Sequence, residues 1–276
     1  MKNIIRVFPR RTNATPIDDM AFIGDPGLFR PDAEEVHISV TFTYDIPEAE
    51  RLYKAWNEFY PGIVKIGGPA FGKPSGEFIP GMYIKKGLVM TSRGCNNKCW
   101  FCSVWKREGG IRELPITEGW NVMDDNILAC SDQHVKSVFA MLKEQKKAGN
   151  QIRFTGGLEA RILKPWHAAE LYKLKPQYMY FAYDTPDDYE PLRAVSAMMP
   201  WAMNHYKSKC YCLIGFPNDS MEAAEKRLYQ VLKLGIMPYA MLWKNENGDE
   251  DKTWRKFQRE WILPQIIRTK IKEAKQ

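Results

Sequence analysis

From residue 120 to residue 243 the chain alternates short apolar runs with longer stretches of helical spacing, and this alternation narrows the fold more than any other feature. The runs at 120–123, 152–155, 178–183, 209–214 and 236–243 read as strands. Between them the spacing predicts helices from Ser131, as N-cap, to about Ala148, from Trp166 to Leu174, from Tyr189 to Met198, and from Ser220 to Leu234. Val135, Val138, Phe139 and Leu142 share one face of the first. Regular alternation of this kind builds a parallel sheet covered by helices. A further strand at 87–92 begins the series. Ligands on parallel sheets sit at the carboxyl ends of the strands, and Cys95, Asp125, Glu159, Asp184 and Gly215 all fall at such ends.

The strand at 87–92 feeds Arg93-Gly94-Cys95-Asn96-Asn97-Lys98-Cys99-Trp100-Phe101-Cys102, with three cysteines inside eight residues. Three closely spaced thiolates on one loop can hold three corners of a cubane iron–sulfur cluster, leaving the fourth iron open to a small molecule. A structural zinc site would need a fourth Cys or His, and no second paired motif is present. The remaining Cys130, Cys210 and Cys212 read as buried small hydrophobes, since Cys210 and Cys212 alternate on an apolar strand; a second cluster is the alternative. After Cys102, residues 105–113 are polar and glycine-containing, with no room for a long helix.

Cys95-x3-Cys99-x-Phe101-Cys102 resembles the signature of the radical S-adenosylmethionine (radical SAM) superfamily, with Phe101 in its aromatic position. The resemblance extends over residues 85–243. It implies an α/β fold with a partial parallel (β/α)6-type barrel at 81–243, a small N-terminal α/β segment at 1–80 and a basic C-terminal helical extension at 244–276. It implies an enzyme whose 4Fe-4S cluster is held by Cys95, Cys99 and Cys102, with S-adenosyl-L-methionine on the open iron. In such enzymes one electron cleaves the sulfonium, and the 5′-deoxyadenosyl radical takes hydrogen from an unreactive carbon. An electron donor such as flavodoxin or ferredoxin follows as a partner. Many members carry a full helix after the third cysteine, which this chain lacks.

The resemblance also suggests roles. The superfamily often uses a Gly-Gly-Glu stretch after the second strand for the ammonium of S-adenosylmethionine. Gly156-Gly157-Leu158-Glu159 looks like it but follows the third strand. Asp124-Asp125-Asn126 follows the second and resembles the Asp-Asp segment of the cobalamin-associated branch; chain order favours it. Arg161 is the expected fork for the carboxylate, with a surface ion pair as the bland alternative. Asp184 is placed for ribose hydroxyls, with an N-cap as its alternative. Leu213 and Gly215 resemble the family's Ile-x-Gly adenine contact, although Asn218 stands where Glu is usual. Phe101 is expected beside the adenine.

Residues 1–35 read as irregular, rich in Pro and turn signals. A strand at 36–42, a helix at 46–60 with Pro47 in its first turn and Asp45 as N-cap, and a strand at 63–66 make one strand–helix–strand unit with a parallel pair. This stretch looks like the end of the cobalamin-binding domain that precedes many radical SAM domains. It is too short for that whole fold, His37 lies within its first strand, and the cobalt-ligating Asp-x-His-x-x-Gly motif is missing. The expectation is a reduced domain without cobalamin, serving as a brace or substrate lid, joined through a loop at 72–81. None of His37, His134, His167 and His205 makes a metal pair at helical spacing, so each reads as structural or exposed.

Apolar content of 45% and charged content of 26% are ordinary for a globular chain. No apolar run approaches a membrane span, and the first residues lack a signal-peptide core; a cytoplasmic location without disulfides is expected. The net charge is +7, gathered near the C-terminus in Lys252, Arg255, Lys256, Arg259, Arg268, Lys270, Lys272 and Lys275. Trp254, Phe257 and Trp261 are interleaved. Either this segment binds a phosphate backbone and stacks bases, or its aromatics dock on the body and its charges face water. The overall pattern is similar to radical SAM proteins of bacterial and phage genomes. The expected function is radical modification of a nucleobase-linked group on DNA or a nucleotide. Modification of a peptide or small metabolite, or a cluster-bearing nucleic-acid-binding or sensor protein, are the alternatives.

Overall fold

Strand β1 (Ile4–Phe8) is a nearly continuous buried apolar run, which suits the centre of a parallel sheet. It pairs in parallel with β2 (Ala21–Ile23) on one side and β3 (Glu35–Ser39) on the other. Helix α1 (Ile46–Phe59) then crosses to β4 (Val64–Gly67), which pairs in parallel with β3. The sheet is four-stranded, in the order β2-β1-β3-β4. Residues 1–35, expected to be irregular, therefore supply half its strands. The expected β3–α1–β4 unit is present, with its first strand ending at Ser39 rather than Phe42. Asp45 does not cap α1 with its side chain; instead its carboxylate accepts from Arg10 Nε at 2.9 Å. Leu52 and Trp56 of α1 pack on Ile5, Val36 and Ile38 to form a core separate from that of the rest of the chain. The structure, a computed structural model, describes residues 2–245 and 251–274.

The connection to the second unit is strapped at both ends. Arg6 Nη1 donates to the carbonyls of Gly81 and Met82, each at 3.1 Å, and Tyr83 Oη lies 2.6 Å from His37 Nδ1. Ser75 Oγ donates to Glu108 at 2.7 Å. This ties the 72–81 loop to the segment that follows the cysteines.

The larger sheet starts with β5 (Leu88–Val89). A two-stranded antiparallel ribbon of β6 (Ser92–Arg93) and β7 (Arg112–Glu113), and the short α2 (Val104–Glu108), occupy the place of a crossover helix. From β8 (Asn121–Val122) the chain runs through α3 (Asp132–Lys147), β9 (Arg153–Phe154), α4 (Pro165–Leu174), β10 (Tyr178–Ala182) and α5 (Tyr189–Met198). It continues through β11 (Ser208–Ile214), α6 (Met221–Lys233) and β12 (Met237–Leu242). The six strands are all parallel and lie in chain order, β5-β8-β9-β10-β11-β12. This is the partial (β/α)6-type barrel. Ser131 and Ser220 cap α3 and α6 by accepting from His134 N and Ala223 N. Val135, Val138, Phe139 and Leu142 are buried against the sheet, as their spacing predicts.

Helices α7 (Lys252–Glu260) and α8 (Pro264–Glu273) close the far edge of the sheet. Phe257 and Trp261 are buried, Trp254 is half-buried, and Gln258 Nε2 donates to Ala240 O at 2.8 Å. The docking alternative is thus the one realised, and these three rings are not free to stack on bases. Lys252, Arg255, Lys256, Arg259 and Arg268 are exposed; Lys275 lies outside the described residues. Among those residues no helix is long and apolar enough to cross a membrane. Trp261 sits edge-on to Tyr229 at 5.2 Å and beneath the Lys270 ammonium at 4.3 Å. Trp261→Ala should therefore destabilise the fold by about 3–5 kcal/mol, read as a lower urea midpoint; an unchanged midpoint would show that α7 and α8 are not part of the folded unit.

Candidate cluster and cofactor site

Residues 91–95, which lead into the cysteine loop, are held by three consecutive residues at the carboxyl end of β8. Asp124 accepts from Thr91 N at 2.7 Å, from Thr91 Oγ1 at 2.6 Å and from Ser92 Oγ at 2.7 Å. Asp125 Oδ2 accepts from Gly94 N at 2.9 Å. Asn126 Nδ2 lies 3.5 Å from Cys95 Sγ and donates to Glu159 Oε2 at 2.5 Å. Asp124 is fully buried and both its oxygens are taken, so its side chain braces the loop. Burial pushes the carboxyls of both Asp124 and Asp125 above their ordinary range.

The two stretches that competed for the ammonium role meet at this point. A Cβ on Gly156 would come within 2.1 Å of the Asp124 carbonyl, so the bare glycine lets the loop after β9 press on the loop after β8. Glu159 is thereby delivered to Asn126. The Asn126 side-chain carbonyl oxygen is buried and has no hydrogen-bond donor. An acceptor left in this state costs about 1–3 kcal/mol unless a ligand supplies a donor.

Cys95, Cys99 and Cys102 are free and half-buried. Cys95 N donates to Gly109 O at 3.2 Å, Cys102 N to Cys99 O at 3.1 Å, and Trp105 Nε1 to the same Cys99 carbonyl at 2.9 Å. The short α2 that replaces a crossover helix thus anchors the loop from beneath. Burial, then the neighbouring Cys102 thiol, pushes Cys99 up; burial also pushes Cys102 up. Among the described residues no three His, Cys, Asp or Glu side chains converge on a single metal ion. A cubane does not require such convergence, because each thiolate binds its own iron. The donor set fits three corners of a cluster, and no fourth cysteine is on the loop. Cys130, Cys210 and Cys212 are buried in the core as free thiols.

Other residues assigned from the resemblance are distributed around the same strand ends. Phe101 is half-buried and edge-on to Trp100, 5.4 Å between centroids. Trp100 in turn contacts Phe216 at 5.8 Å and Trp243 at 6.3 Å. Arg161 is paired with Asp188 at 2.7 Å, so the bland alternative is present for its guanidinium. Asp184 does not cap a helix; its carboxylate accepts from Leu213 N at 3.1 Å. Gly215 has φ +70°, and a Cβ there would lie 2.9 Å from Trp254 and Leu242. The missing side chain that suggested adenine approach is what lets Trp254 dock.

Two residues passed over in the sequence lock this corner. Asp219 accepts from Gly215 N at 2.9 Å and pairs with Arg227 at 2.8 Å, and Arg227 also donates to Leu213 O at 3.0 Å. Both side chains are buried. An Asp and an Arg eight positions apart across a cap leave only a weak local signal.

Asp184 carries a testable electrostatic signature. Burial, then the Asp188 charge, raises its carboxyl to about 6. A folded-state value above the unfolded one means that the native state holds the proton more tightly. Stability from this group is therefore full at low pH and is lost as pH rises from about 4 through 6. Asp184→Asn keeps the acceptor for Leu213 N and removes the charge. Relative to the parent it should gain about 1–3 kcal/mol at pH 7.5 and little at pH 4.5, measured as the difference between paired thermal melts; a pH-independent difference would refute the assignment.

No family model matches the sequence, and no curated protein matches it. Among solved structures, that of the radical S-adenosylmethionine methyltransferase TsrM from Kitasatospora setae, with cobalamin and a [4Fe-4S] cluster bound, is similar. The TM-score is 0.57 at 10% identity, with 88% of this chain and 75% of that chain covered. At that identity the likeness is one of fold: this chain shares the architecture of a radical SAM enzyme.

Proposed function

We propose that this protein is a radical SAM enzyme that modifies a nucleobase-linked group. The observation that carries the reading is the cysteine loop itself, three free thiols at the carboxyl end of β5, beside the unsatisfied carbonyl of Asn126. Cys95, Cys99 and Cys102 would hold a 4Fe-4S cluster. Asn126 and Glu159 would accept from the ammonium of S-adenosylmethionine, with Asp125 holding the loop between them and the cysteines. Arg161, released from Asp188, would take the carboxylate. Asp184, Leu213 and Phe101 would flank the nucleoside, and Gly215 would shape the corner below. When bound, the two cofactors supply a 5′-deoxyadenosyl radical after one electron arrives from a flavodoxin- or ferredoxin-type donor. The chain's own part is to orient the cofactors and to exclude water. The half-exposed Trp100, with Phe216 and Trp243, forms an aromatic rim suited to the second task.

The nucleobase reading rests on the positive charge and the exposed basic face of α7 and α8. A base inside a duplex cannot reach such a site, so a single strand, a flipped base or a nucleotide is required. Anaerobically reconstituted protein should hold about four irons per chain. Cys95→Ala, Cys99→Ala and Cys102→Ala should each lose the iron, whereas Cys130→Ala, Cys210→Ala and Cys212→Ala should keep it. 5′-Deoxyadenosine should form with dithionite and rise with single-stranded DNA or nucleotides. Stimulation by peptides or small metabolites alone would move the substrate class, and absence of cleavage would favour a cluster-bearing sensor.

The N-terminal unit is proposed to act without cobalamin. Both ring nitrogens of His37 are engaged, Nδ1 with Tyr83 and Nε2 with Glu35, each at 2.6 Å. The sheet serves instead to brace the connection at 81–85. Protein incubated with hydroxocobalamin and desalted should show no corrinoid absorbance; stoichiometric retention would overturn this part of the reading.

A further inference from the structure

The concave face of the larger sheet carries side chains that neither the core nor the cysteine loop uses. Met179, Phe181, Cys210, Cys212 and Ile214 turn into the helix-covered core. By alternation, Tyr178, Tyr180, Lys209 and Tyr211 face the other way, where they are half-buried. Register sets Tyr180 beside Lys209, and Tyr211 beside Tyr239. The Tyr180 and Tyr211 rings stack with centroids 4.9 Å apart, and Tyr239 closes on them at 5.9 and 6.1 Å. The Lys209 ammonium lies 4.6 Å from the Tyr178 centroid, 5.4 Å from that of Tyr180 and 5.6 Å from that of Tyr239. The Arg153 guanidinium of β9 lies over the same Tyr178 ring, 5.3 Å from its centroid.

Lys209 and Arg153 have no carboxylate partner among the described residues; Arg153 donates only to the neutral Gln177. Ring faces offset part of the cost of a half-buried cation, but an anion would offset more. Barrel interiors that are merely filled use branched aliphatic side chains. Here the interior offers π-faces, phenol donors and two cations. The Tyr180 and Tyr211 phenols are hydrogen-bond donors. This set matches one ligand chemistry, a planar ring bearing an anionic group.

Position then separates a monomer from a polymer. Lys209 lies four residues before Leu213, about 13 Å down the strand at ~3.3 Å per residue. A phosphate seated there is deep on the amino-terminal half of the sheet. A nucleic acid strand would have to thread the barrel to place one of its phosphates so far from the cysteine loop, whereas a free nucleotide can enter end-on. We propose that this face seats a nucleoside monophosphate, with its phosphate on Lys209 and Arg153 and its base against Tyr180, Tyr211 and Tyr239. The proposal rests on the nucleobase reading above and narrows it to the monomer.

The test is calorimetric titration of the full-length, cluster-loaded protein with S-adenosylmethionine present. The probes are the four deoxynucleoside monophosphates, their uncharged nucleosides and a single-stranded oligonucleotide. At least one monophosphate should bind tenfold or more tightly than its nucleoside. Lys209→Met should remove that difference and Lys209→Arg should restore most of it, with iron content and circular dichroism as fold controls. Should Lys209→Met fail to fold, Arg153→Gln takes its place, with the same expected loss. Equal binding of nucleoside and monophosphate, a preference that survives both substitutions, tighter binding of the oligonucleotide, or no binding of any monophosphate would each overturn the proposal. None of these outcomes bears on iron content or S-adenosylmethionine cleavage, which test the preceding reading separately.

Discussion

The buried carboxylate of Asp124 is the contact on which the candidate site depends. It receives three hydrogen bonds from Thr91 and Ser92, and with them it fixes the end of one parallel strand against its neighbour. A buried carboxylate is tolerated only when it is satisfied in this way. The two residues that follow extend the same grip. Asp125 takes Gly94 N, and Asn126 reaches Cys95. Residues 124, 125 and 126 therefore hold residues 91, 92, 94 and 95 in step. A loop that must present three thiols has few regular hydrogen bonds of its own, so its order has to come from outside.

The surrounding architecture follows from the same need. The first crossover of the barrel carries no long helix; it carries the cysteines, a five-residue helix and a two-stranded ribbon. That leaves one edge of the sheet thinly covered. Glu108, buried at the end of the short helix, accepts from Ser75 of the incoming connection. The N-terminal unit holds that connection through Arg6 and Tyr83. The opposite edge is covered by α7 and α8, whose aromatic residues are spent on packing. Local sequence could describe the composition of these two edges but not their purpose.

Much of the fold was legible because strand and helix periodicities survive wherever one face is buried. Helix α5 and the β3–α1–β4 unit fall where their patterns place them. Strand β1 escaped because its run is buried on both faces, shows no alternation and is flanked by Pro and Arg. Strand β2 has only three residues, too few to carry a period. The spacing of Cys95, Cys99 and Cys102 was legible in the sequence, and the structure holds the three as free, half-buried thiols on one loop. At Gly215 the local sequence gives no sign that Trp254, from a helix far along the chain, packs where a side chain would stand. Asp124-Asp125-Asn126 and Glu159, read as alternatives in the sequence, are brought together because Gly156 lets the two loops touch. Contacts between loops that follow different strands leave no pattern in a linear sequence.

The two ends of the partial barrel differ in chemistry, and that difference has a physical logic. The carboxyl-terminal end gathers carboxylates, an unsatisfied amide oxygen and thiols, which suit a cationic cofactor and iron. The concave face below gathers Lys209, Arg153 and phenol rings, which suit an anionic, aromatic molecule. Carboxylates placed lower down would neutralise Lys209. Burial makes this separation matter, because charges in a half-dry interior interact more strongly than charges in water. The parallel sheet provides the separation without further elements: side chains from the middle of each strand line the concave face, and the loops that follow the strands form the rim.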